Sequence, residues 1–128
     1  MRILAVDFGE KRIGIALSDE GGAIAYPYQV IERISDRKAI AEIERICREK
    51  GVGKIILGCP YSLKGKETAI TRRVLSFLRK LRKIGIDVLL YDERWTTKIA
   101  SRISDRMVDA RAAAIMLGDY LEQMRCSK

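Results

Sequence analysis

Residues 3 to 6, Ile-Leu-Ala-Val, are apolar without the alternation of a half-exposed strand, and Asp7 follows them at once. So short and uniform a run fits a central strand covered on both faces, which commits the chain to a sheet with helices packed against it. Phe8-Gly9-Glu10-Lys11-Arg12 reads as a tight connection to a second strand at 13 to 17. Asp19-Glu20-Gly21-Gly22 is another turn before a third at 24 to 31. Three strands joined by short turns form an antiparallel meander.

Ser35 or Asp36 can cap a helix carrying Ala39, Ile40, Ile43, Ile46 and Cys47 at helical spacing, stopped at Gly51. A strand at 52 to 57, a helix over 66 to 84 and a strand at 86 to 91 follow. The chain is helical again from 96, ending in a stripe of Ala110, Ala113, Ala114, Leu117, Leu121 and Met124. Right-handed crossovers make the first, fourth and fifth strands parallel. The expected fold is α/β, a mixed five-stranded sheet of an antiparallel meander plus two parallel strands, with helices on its faces. A length of 128 residues fits a single domain over 1–128.

Ligands of such sheets gather outside the carboxyl ends of the parallel strands. Those ends carry Asp7, Gly58-Cys59-Pro60 and Asp92-Glu93. The chain has no histidine, which excludes Ser-His and Cys-His nucleophilic arrangements and an imidazole base. Three cysteines, Cys47, Cys59 and Cys126, show no CxxC spacing, so a zinc site or disulfide framework is not expected. Reduced thiols, and no apolar run long enough to span a bilayer, fit a cytoplasmic protein with no membrane partner.

Carboxylates brought together repel each other unless a cation neutralises them. Oxygen ligands beside a polyphosphate suit Mg²⁺ or Mn²⁺, and two such ions about 4 Å apart can activate water and stabilise a leaving oxygen. Taken locally, Asp7 is also readable as a strand-end turn residue, and Asp92-Glu93-Arg94 as a surface ion pair.

Twenty-five Lys and Arg against seventeen Asp and Glu give a net charge of +8, which favours polyanionic partners. Residues 64 to 83 hold eight basic side chains against Glu67 alone, an excess of seven. In that helix Ile70, Val74, Phe77, Leu78 and Leu81 fall on one side, and Arg72, Arg73, Arg79, Lys80 and Lys83 on the other. Lys64 and Lys66 in the preceding loop, with Arg72 and Arg73, are candidate phosphate contacts. Gly9 leaves room for a phosphate or metal, and Lys11 and Arg12 can hold phosphates, although each also suits an ordinary hairpin turn.

Four motifs in order resemble the YqgF family, also called RuvX. They are Val6-Asp7-Phe8-Gly9-x-Lys11-Arg12-Ile13-Gly14, Gly58-x-Pro60 with Gly65, Asp92-Glu93-Arg94-x-Thr96-Thr97, and Val108-Asp109-x-x-Ala112-Ala113. That family comprises RNase H-like Holliday junction resolvases, described also as pre-16S rRNA nucleases. The resemblance covers essentially the whole chain. It implies an RNase H-like fold and a divalent-metal nuclease site whose three acidic positions, catalytic and metal-binding, fall on Asp7, Glu93 and Asp109. Read locally, Asp109 is a helix N-cap. The resemblance adds Arg94, Thr96 and Thr97 as nucleic-acid contacts. It implies RNA, pre-rRNA above all, or branched DNA as partner, with ribosomal particles possible and the chain a monomer or homodimer. Trp95 stands where a smaller apolar residue is common, and the segment between Thr97 and Asp109 is shorter than in many relatives.

Two other classes compete. Sugar-kinase and actin-like ATPases begin with a similar strand, Asp-x-Gly turn and hairpin, yet clamp nucleotide between two domain-sized lobes. A non-catalytic nucleic-acid-binding module needs only the basic helix.

Overall fold

The computed structural model of the chain describes residues 1–9, 11–59, 69–92 and 108–126. The elements are β1 (Arg2–Phe8), β2 (Arg12–Ser18), β3 (Ala25–Glu32), α1 (Asp36–Lys50), β4 (Val52–Cys59), α2 (Ala69–Leu81), β5 (Asp87–Asp92) and α3 (Val108–Cys126). The five strands lie in the order β3-β2-β1-β4-β5. β2 pairs antiparallel with β1 and β3, while β4 runs parallel to β1 and β5, so the expected meander with two added parallel strands is the observed sheet.

β1 is central, and its alternation divides the interior in two. Leu4, Val6 and Phe8, with Ile13, Ile15, Leu17, Ile55 and Leu57, face α1 and α2. Ala5, Ala16 and Ile56 face α3, which contributes Ala113, Met116, Leu117, Tyr120 and Leu121. The small Ala5 and Ala16, paired across β1 and β2, let α3 lie close to the sheet. α3 buries a wider stripe than expected, adding Ala112, Met116 and Tyr120, whereas Met124 at its far end is 46% exposed.

Ser35 caps α1, its Oγ accepting a hydrogen bond from the Lys38 N–H at 3.2 Å, and Gly51 ends it in the left-handed conformation at φ 69°. Asp36 is therefore a first-turn residue and not the cap. α2 keeps α-helical geometry to Leu81 and tightens into a 3₁₀ turn at Arg82–Ile84; residues 66–68 of the expected helix lie outside the described residues. β3 starts at Ala25 because the turn claims Ile24, whose N–H, like that of Ala23, donates to the Asp19 carboxylate at 2.9 and 2.8 Å. Those two bonds, Ile24's first, hold the Asp19 pKa below the usual carboxylate value. Cys47 is buried and free, and burial pushes its thiol up to about 11. No helix among the described residues is long and apolar enough to cross a membrane.

Candidate active site

Asp7 is the penultimate residue of β1, half-buried, at the carboxyl edge of the sheet. Alternation with Val6 and Phe8 turns it to the face covered by α3. Its register partners are Gly14 on β2 and Gly58 on β4, so neither adjacent strand presents a side chain beside the carboxylate. Tyr91 lies one strand further, opposite Gly58. Glycine in a strand interior marks a place where a ligand can approach the backbone closely, and here glycines of both neighbouring strands flank a carboxylate. The sequence places Gly58 at the ligand-bearing strand ends but does not show that it and Gly14 flank Asp7. The available signal was a glycine inside each of two strands that are otherwise apolar or β-branched over that stretch.

Asp109 comes to the same edge on the backbone of α3. Ala113 packs in one cluster with Ala5, and α3 runs antiparallel to β1, since its later residues Tyr120, Leu121 and Met124 line a cleft with Met1 and Ile3 at the opposite edge. The first described residues of α3, Val108 and Asp109, therefore lie toward the carboxyl edge, on the face of Asp7. Asp109 already has helical backbone, which replaces the N-cap reading: the described helix begins at Val108. An acidic residue in a first helical turn suits the helix dipole.

Asp92 is the last residue of β5, opposite Cys59. Glu93, Arg94, Thr96 and Thr97 lie outside the described residues, as do Lys64 and Lys66. Among the described residues no group of three His, Cys, Asp or Glu side chains stands close enough to hold a metal.

The β1–β2 turn meets the edge beside Asp7. Lys11 and Arg12 are exposed there. The Arg12 carbonyl oxygen fills the space a Cβ on Gly9 would occupy, so glycine is required by the turn's own backbone. Gly9 thus has a steric reason within the turn, beside its reading as clearance for a ligand. The Arg33 N–H donates to the Lys11 carbonyl at 2.9 Å, and the Arg33 guanidinium lies over the Phe8 ring at 5.6 Å while pairing with Asp36 at 3.2 Å. Asp36 also receives Lys80 of α2 at 2.9 Å, and Phe77 of α2 meets Phe8 with ring centroids 4.9 Å apart.

Arg72 and Arg73 are exposed on α2. They do not stand beside the Asp7 carboxylate: α2 packs under Leu4, Val6 and Phe8, on the face opposite Asp7. An odd-numbered carboxylate and an even-numbered apolar contact on one strand must point to opposite sides.

Comparison with known proteins bears on this arrangement. The family described as "RuvX: Holliday junction resolvase" matches residues 1–123. A relative from Desulforudis audaxviator, named "Putative pre-16S rRNA nuclease", is 36% identical over 139 aligned residues, covering 100% of this chain and 99% of its own. One of the same name from Anaplasma marginale is 40% identical, covering 94% of this chain and 77% of its own. Among solved structures, T. thermophilus RuvC in complex with a Holliday junction substrate superposes with a TM-score of 0.65 at 13% identity, over 98% of this chain and 96% of that one. The fold is therefore the RNase H-like fold of the resolvases.

Proposed function

The chain belongs to the RuvX family, and on that footing we propose that it is a metal-dependent nuclease cutting phosphodiester bonds of structured nucleic acid, chiefly at the end of the 16S rRNA precursor. The observation that carries this reading is Asp7, half-buried at the carboxyl end of the central strand between Gly14 and Gly58.

The donor chemistry fits a hard divalent cation. Asp7, Glu93 and Asp109 offer carboxylate oxygens, and the chain has no histidine to favour a softer metal. Asp7 and the Asp109 backbone share one face and one edge. On β5, Tyr91 packs on the α3 side while Val88 and Leu90 pack on the other, so the odd positions of the strand share the face of Asp7. The third ligand is assigned to Glu93 on the family resemblance. A pair of Mg²⁺ or Mn²⁺ ions so held would supply water activation and neutralisation of charge at the scissile phosphate.

The chain's own residues do the rest. Asp7, Glu93 and Asp109 fix the geometry in which nucleophile and leaving oxygen are aligned. Lys11 and Arg12, on the turn next to Asp7, hold phosphates flanking the cut, and Gly9 lets that turn close. Lys64, Lys66, Arg94, Thr96 and Thr97 complete the nucleic-acid contacts, on the family resemblance and their charge and hydrogen-bonding chemistry. The protein acts in the cytoplasm as one domain over 1–128, monomeric or as a homodimer, on RNA free or within ribosomal particles.

The test is cleavage by purified protein with Mg²⁺ or Mn²⁺ of matched substrates: a 16S precursor end, plain duplex RNA and a four-way DNA junction. Preferential metal-dependent cutting of the precursor is expected. Preferential cutting of the junction would make the chain a resolvase, and binding without cleavage of any of them would make it a binding module.

A further inference from the structure

The sheet edge away from Asp7 holds a cleft of about 340 Å³, where the amino end of β1 meets the last turns of α3. Ile3, Tyr120 and Leu121 line it together with Met1 and Met124, which are 72% and 46% exposed. The β2–β3 turn closes one side. That turn is held by the N–H bonds to the Asp19 carboxylate and by the Met1 ammonium, which donates to the Glu20 carbonyl at 2.8 Å.

Strand β4 brings one cation to this cleft. Its pairing with β1 skips Gly53, since Arg2 lies opposite Val52 and Ile3 opposite Lys54. The bulge reverses the alternation, so Val52 joins Ile55 and Leu57 on the α1–α2 side while Lys54 keeps to the α3 side with Ile56. The Met1 side chain lies across Gly53, in the space a Cβ there would claim.

Two polar groups of the cleft have no partner of their own. The Lys54 ammonium lies 5.5 Å from the centroid of the Tyr120 ring and makes no ion pair among the described residues, not even with Asp87, its neighbour on β5. Tyr120 is 6% exposed, and among the described residues its hydroxyl has no hydrogen-bond partner. Buried tyrosine hydroxyls usually find one. The Tyr91 ring meets Tyr120 edge-on, but the Tyr91 hydroxyl is itself taken up by Asp119 and Gln123.

A free donor and a cation in an apolar cleft call for a ligand with a negatively charged acceptor and an apolar body. We propose that the cleft binds a small carboxylic acid with an apolar tail, its carboxylate accepting from the Tyr120 hydroxyl and Lys54 Nζ and its tail lying among Ile3, Leu121 and the two methionines. A single cation matches a monoanion better than a phosphate, which gathers several donors. Flexible thioether side chains adapt to tails of different shape. The volume, at the small end of ligand pockets, suits a small molecule. The cleft and Asp7 stand at opposite edges of the sheet, so this site does not depend on the nuclease reading.

The probe is octanoate, with octanamide as its uncharged counterpart and acetate as the charge without the tail. Binding is followed by NMR of metal-free protein labelled at the methionine methyls, and the melting temperature of each variant is recorded. Octanoate should bind saturably and move the Met1 and Met124 signals. Each buried methylene contributes about fourfold in affinity, and a charge-assisted hydrogen bond about tenfold or more. Octanoate should therefore bind at least about tenfold more tightly than either acetate or octanamide. Tyr120→Phe removes only the hydroxyl, which has no partner to lose, so this variant should melt no lower than the wild type while binding octanoate about tenfold more weakly. Lys54→Met keeps an unbranched apolar side chain but removes the charge, and should weaken octanoate binding by a similar factor. Methyl signals indifferent to octanoate, octanamide bound as tightly as octanoate, or wild-type affinity in either variant overturns the proposal. A Tyr120→Phe protein melting below the wild type would overturn it too, because the hydroxyl would then already have a partner within the fold.

Discussion

Gly9→Ala distinguishes two reasons for a glycine just past Asp7, because they predict opposite signs. Gly9 does not have a positive φ, so alanine can adopt its backbone conformation. If the glycine served only to admit a ligand, alanine would be neutral or would stabilise by about 0.4–1 kcal/mol through the unfolded chain. In the structure a Cβ there collides with the Arg12 carbonyl oxygen, which is backbone at the first residue of β2. Relief requires opening the turn against the Arg33 N–H bond to Lys11. Overpacking of this kind costs about 1–3 kcal/mol. With an unfolding entropy of about 2.1 cal/mol/K per residue, 128 residues give about 0.27 kcal/mol/K, so a loss of about 2 kcal/mol lowers Tm by about 7 °C. Calorimetry on the metal-free protein reads this without any contribution from cleavage. A Gly9→Ala protein melting at or above the wild-type temperature would refute the steric argument and leave only the ligand-clearance reading.

Asp109→Ala should shift stability by no more than about 1 kcal/mol, the size of a first-turn charge in a helix dipole, yet reduce metal-dependent cleavage by roughly a hundredfold or more; a variant that cuts normally removes Asp109 from the site. Asp36→Asn loses partners in Arg33 and Lys80 at once and should lower stability by about 1 kcal/mol, and a double-mutant cycle with Lys80→Gln should recover a coupling that strict additivity would deny. Cys47, with its thiol raised to about 11, stays protonated in the fold while the unfolded thiol ionises near about 8.5. Its contribution to stability is therefore full below about pH 8.5 and is lost as pH rises toward 11; in a Cys59→Ser, Cys126→Ser background, rapid labelling of native Cys47 at pH 8 would contradict the burial.

The strands were readable because burial on both faces leaves an apolar run that nothing else in a short chain resembles, and each paired as its turn or crossover length required. Ser35 against Asp36 was not decidable, since both residue types cap and only the Lys38 N–H direction chooses between them. The site was half legible. Asp7 and its edge followed from strand order, but the importance of Gly14 and Gly58 needed the register, which sequence does not give. Which face of the sheet α2 takes also depends on register and parity together, which the helix's own sequence does not give. The placing of Asp109 toward the same edge needed the direction in which α3 runs along β1, which only its packing shows.

The central claim is that the carboxylate between the two strand glycines holds the metal that drives cleavage. Its most direct test is the rate of precursor-RNA cleavage by Asp7→Asn beside the wild type across an Mn²⁺ titration, with the melting temperature of each recorded. The account predicts wild-type cutting that EDTA abolishes. It also predicts an Asp7→Asn protein that melts as a folded domain but cuts at least about a hundredfold more slowly at every metal concentration. Cleavage by folded Asp7→Asn at the wild-type rate and metal concentration would contradict it.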